Sequence, residues 1–115
     1  MPTYRRGPEG VIITPSSTGQ TLPSGGVTLL NTTAGSANYL IDAPVPGVKK
    51  YIFSFGNTTV ANTVITSTAS ITFNGTNNKL SFAQTAGGAN IALEGITATR
   101  WGILSSTGVT LATTN

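Results

Sequence analysis

Residues 49–56 read KKYIFSFG. Tyr51, Phe53 and Phe55 share one parity, and Ile52 and Ser54 share the other. A period of two marks a β-strand, whose successive side chains leave opposite faces. Gly56-Asn57 then closes the stretch with a turn signal. The same period recurs outward in both directions. Val27 and Leu29 alternate with Thr28, and Tyr39 and Ile41 with Leu40 and Asp42. Ile71 and Phe73, Leu80 and Phe82, Ile91 and Leu93, Trp101 and Ile103, and Val109 and Leu111 repeat it. Asn74-Gly75, Gly87-Gly88 and Gly108 punctuate these pairs.

Helices have little room. The widest interval without glycine or proline, residues 57–74, reads NTTVANTVITSTASITFN. Its Thr, Val, Ile, Ser and Asn are weak helix formers. About eight short strands at this spacing predict an all-β fold, an antiparallel β-sandwich or small β-barrel. One apolar and one hydroxyl-rich face per strand place a single core between two sheets. The prolines of DAPVPGVKK (42–50) belong to a connection, because proline cannot donate to a sheet ladder.

The amino end reads differently. Residues 1–24 hold four of the six prolines, at Pro2, Pro8, Pro15 and Pro23. They are expected to form an extended N-terminal arm, and residues 25–115 the body. Val11, Ile12 and Ile13 are the arm's apolar cluster. They predict one short strand that needs a sheet, in this chain or in a neighbour, to pair with.

Composition excludes several function classes. The chain has no His and no Cys, and its carboxylates are Glu9, Asp42 and Glu94. General acid–base catalysis draws on His or paired acids, so an enzyme is not expected, nor a small-molecule substrate. Zinc and calcium spacings are missing, so no metal or other cofactor is expected. Each acid is expected to pair with a base or to cap a turn. The six basic residues are scattered, without the dense basic face of a nucleic-acid binder. No apolar run approaches the ~18 residues of a membrane span. Two arginines without a following apolar stretch do not predict a secretory signal. Lys49-Lys50 is expected to blunt an exposed strand edge. Charged residues make up only 8% of the chain, against roughly 25% in ordinary domains. Such a weakly self-repelling surface suits a protein packed against others.

Four stretches carry a family resemblance: YRRGPEGVIITPSSTGQTLPSGGVTLLNTT (4–33), YLIDAPVPGVKKYI (39–52), LEGITATRWGIL (93–104) and GVTLATT (108–114). Together they resemble the small all-β head decoration, or capsid cement, proteins of tailed phages. The resemblance implies a virion protein on the outer surface of the capsid that stiffens it. Its implied partners are the major capsid protein and, in a homotrimer, further copies of itself. It also implies that the arm orders on the shell: Tyr4 as aromatic anchor, Arg5 and Arg6 on carboxylates, and Val11, Ile12 and Ile13 on a sheet edge. Trp101 is expected in the core or at a subunit contact. The alternatives are a carbohydrate-binding or fibre-tip β module and a subunit of another assembly.

Overall fold

The computed structural model of the chain describes residues 10–13, 21–32, 37–56, 62–82 and 88–113. These form the strands β1 (Gly10–Ile13), β2 (Thr21–Leu22), β3 (Gly26–Thr32), β4 (Ala37–Ile41), β5 (Lys49–Gly56), β6 (Asn62–Thr66), β7 (Lys79–Phe82), β8 (Ala89–Thr97), β9 (Arg100–Thr107) and β10 (Val109–Ala112). They make two five-stranded sheets, ordered β1-β3-β5-β8-β9 and β10-β7-β6-β4-β2. The fold is an all-β sandwich. Its core includes Leu22, Leu30, Ile41, Ile52, Phe73, Phe82, Leu93 and Trp101.

The pairing is mixed rather than antiparallel throughout. From β1 to β6 the chain changes sheet at every connection. Consecutive members of one sheet therefore run the same way: β1 with β3, β3 with β5, β2 with β4, and β4 with β6. The pairs β6–β7, β7–β10, β5–β8 and β8–β9 are antiparallel. Period-two reading finds strands but cannot tell whether a turn returns to the same sheet or crosses to the other.

The boundary expected between arm and body also moves. Thr21–Leu22 is a strand of the second sheet, and Leu22 is fully buried. Val11, Ile12 and Ile13 pair in parallel with Thr28, Leu29 and Leu30, so the short strand finds its sheet within its own chain.

Two strands turn the opposite way from their most apolar parity. On β5, Lys50, Ile52 and Ser54 are buried, while Phe53 is exposed and Tyr51 half-buried. On β3, Thr28 and Leu30 are buried, while Val27 and Leu29 are half-buried. Nor do Lys49 and Lys50 blunt an edge. Strand β5 is central, between β3 and β8. Lys49 meets Glu94 across the pair at 3.7 Å, on the outer face.

Candidate functional site: the charged end of the sandwich

Strand direction sorts the charges. Strands β1, β3, β5, β7 and β9 run one way, and β2, β4, β6, β8 and β10 run back. Lys49 and Lys50 begin β5, Lys79 begins β7 and Arg100 begins β9, while Asp42 follows β4. Glu94 lies opposite Lys49 on the returning β8. All six therefore sit toward one end. The remaining charges, Arg5, Arg6 and Glu9, precede the start of β1, which lies at that same end. The strand ends at the other pole are joined by TPSSTGQ (14–20), TAGS (33–36), NTTVA (57–61), AQTAG (83–87) and Gly108, without one charge.

Backbone contacts build the charged end tightly. Gly47 N donates to Gly95 O at 2.8 Å, and Gly95 N donates to Val48 O at 2.9 Å. A Cβ on Gly95 would lie 2.1 Å from Val45 O, so only glycine admits the APVPG connection there. Val45 and Ile96, flanking this contact, are exposed aliphatics. Residues 67–78 close the sandwich beneath, burying Ile71 and Phe73. Asn74 Oδ1 accepts from the amides of Thr76 and Asn77, which folds the NGT turn. Thr72 then bridges to β9: its N–H donates to Thr99 O, and Trp101 N–H donates to Thr72 O. The Arg100 guanidinium lies against Gly75, whose added Cβ would meet its Cζ at 3.3 Å.

Lys50 is the unusual charge. Its residue is fully buried, and Nζ donates to Gly25 O at 3.2 Å and to Thr28 Oγ1 at 2.5 Å. Burial lowers its pKa from 10.5 to about 8, and the Asp42 carboxylate partly opposes that shift. The amine holds the Gly25 turn to the inner face of β3 rather than meeting solvent. Of the residues expected to face a partner, Tyr4, Arg5 and Arg6 lie outside the described residues. The side chains of Val11, Ile12 and Ile13 lie outside them too, although their backbone forms β1. Trp101 is fully buried, and its Nε1 has no hydrogen-bond partner among the described residues. Among those residues, no three His, Cys, Asp or Glu side chains come together.

No family model matches the chain, and comparison with curated proteins returns no match either. One end of the sandwich thus gathers mixed charges of net positive sign, two exposed aliphatics and the start of β1. Sequence reading does not place Val45 or Ile96 at this end. Their only signal is an aliphatic residue beside a glycine or proline, which becomes meaningful once strand directions are known.

Proposed function

We propose that the chain is a structural virion protein that binds the outer surface of a phage capsid through its charged end and stabilises the shell. One observation carries this reading: among the described residues every charge, together with the start of β1, lies toward one end of the sandwich. The described charges there, Lys49, Lys50, Lys79 and Arg100 against Asp42 and Glu94, are net positive and suit an acidic surface on the major capsid protein. Arg5 and Arg6 supply forked donors for carboxylates. Val45 and Ile96 supply apolar contact within a polar rim.

The alternative, a carbohydrate-binding or fibre-tip module, has one feature in its favour: Tyr51 and Phe53 stand on one outer face of β5. Mixing the protein with undecorated capsids of the same source, and separately with a glycan array, distinguishes the two. Saturable capsid binding that weakens as salt rises supports the decoration reading. Binding to glycans alone overturns it.

A further inference from the structure

We infer that the outer face of the β1-β3-β5-β8-β9 sheet is the surface on which copies of this chain meet one another. The proposal rests on the decoration reading for its orientation and on the sheet itself for its chemistry.

The face is apolar in registered rows. Val27, Tyr51 and Ala92 are neighbours across β3, β5 and β8, and Leu29, Phe53 and Asn90 form the next row. Phe53 is 44% exposed, and Val27, Leu29, Tyr51 and Ala92 are half-buried. Ile12 of β1 stands in the register position beside Leu29. The opposite outer face is more mixed: Leu40 and Ile65 share one row with Lys79, and the next row is Asn38, Thr63, Ser81 and Thr110, with Asn38 and Thr63 hydrogen-bonded to each other. An outward stripe of large apolar side chains on β3 and β5, continued by Ala92 on β8, is what a sandwich covers.

Charge and position identify what covers it. The charged residues flanking the stripe on these strands are Lys49 and Glu94, paired at its lower end. The surface is thus neutral and carries both signs, so identical copies approach without like-charge repulsion and can exchange the pair between them. With the charged end seated on a shell, this face points sideways, where the neighbours are further copies. A sugar would need several polar groups around the rings. Here the rings are flanked directly by Val27, Leu29, Ala92 and Asn90, while the hydroxyls of the same rows, Ser105 and Thr107, stand two strands away on β9. Three copies turning these stripes toward a common axis would share one dry cluster.

Sedimentation equilibrium of the isolated protein tests this without a capsid. The wild type should associate with rising concentration, toward a trimer. Phe53→Glu should weaken that association at least tenfold while keeping a wild-type circular dichroism spectrum. Leu40→Glu, on the other sheet's outer face, should leave it unchanged. Should Phe53→Glu unfold the chain, Phe53→Ser serves as the milder variant, with the same expected direction. A wild type that stays monomeric throughout, or an oligomer indifferent to both Phe53 variants, overturns the inference. So does binding of glycans at Phe53 by the monomer. Capsid binding is scored separately. A Phe53-dependent oligomer that ignores capsids leaves this interface standing and removes the decoration reading.

Discussion

Burying Lys50 makes stability depend on pH in a direction that can be worked out. Its pKa is about 8 in the folded chain and 10.5 when unperturbed. Below pH 8 both states hold the proton, and the folded state bears the cost of a desolvated ammonium. Between about pH 8 and 10.5 the unfolded state holds a proton that the folded state has released. Stability therefore rises with pH across that window. A tenfold difference in proton affinity between the two states corresponds to about 1.4 kcal/mol, so the rise from pH 7 to pH 10 should be about 2 to 3 kcal/mol. Urea titrations at pH 7, 8, 9 and 10 measure it. With a slope of about 1.5 kcal/mol/M, the midpoint should climb by roughly 1.5–2 M. Other groups titrate as well, so the quantity to compare is the difference between wild type and Lys50→Met. That difference should move in favour of the wild type by the same amount, because Lys50→Met has no amine to release. Asp42→Asn removes the carboxylate that opposes the shift, so it should move the start of the rise to lower pH. Parallel stability curves for wild type and Lys50→Met would refute the reasoning. They would mean that the ammonium keeps water in the folded state.

Lys50→Met combined with Thr28→Val replaces both buried polar partners with apolar ones. At pH 7 the double variant should be more stable than wild type by about 1–3 kcal/mol, and than Lys50→Met alone, which leaves the Thr28 hydroxyl without its amine. Calorimetry reads both. Gly95→Ala should cost about 3 kcal/mol, because its Cβ would collide with the Val45 carbonyl, and thermal melting gives the loss directly. Trp101→Ala should cost about 3–5 kcal/mol. Trp101→Phe, which also removes the unpartnered Nε1 donor, should fall within about 1 kcal/mol of wild type; urea midpoints that put the two variants together would count against this. Deleting residues 1–9 should change thermal stability by less than about 0.5 kcal/mol yet weaken capsid binding by at least tenfold. Deleting residues 1–13 should lower stability as well, since β1 is part of the sheet. Pull-down on capsids with parallel melts separates the two effects.

The strands are legible in the sequence because their period is short and local. Leu80 and Phe82, Ile91 and Leu93, and Trp101 all alternate with polar or small neighbours, and all are buried. The facing of β3 and β5 is not legible, because both parities carry apolar residues there. Ile52 and Leu30 compete with Tyr51, Phe53, Val27 and Leu29, and alternation alone ranks the aromatic side first. What decides is non-local: Lys50 can turn inward because Gly25 O and Thr28 Oγ1 receive its donors. The sorting of charge is hidden for a related reason. Asp42, Lys79 and Arg100 are scattered along the chain and come to one end only through the strand directions. Glu94 is expected to pair with a base or cap a turn, and it pairs with Lys49.

The six-strand winding from β1 to β6 bears on how the chain reaches this state. Gly26 pairs with Lys50 and Ala37 with Asn62, and between the members of each pair lies a strand belonging to the other sheet. Neither pair can close as a hairpin while its neighbours are still loose. Each loop that must close carries a partly built piece of the opposite layer, and contacts of this sequence separation make folding slow. The two layers have to grow in step, each supplying the apolar face on which the other condenses. A nascent chain ending near Gly56 would hold β3 and β5 ready to pair, but with β4 lacking β6 and β7 to extend its layer. Only once β7 to β10 are present as well can both layers close, so the sandwich becomes cooperative late rather than segment by segment.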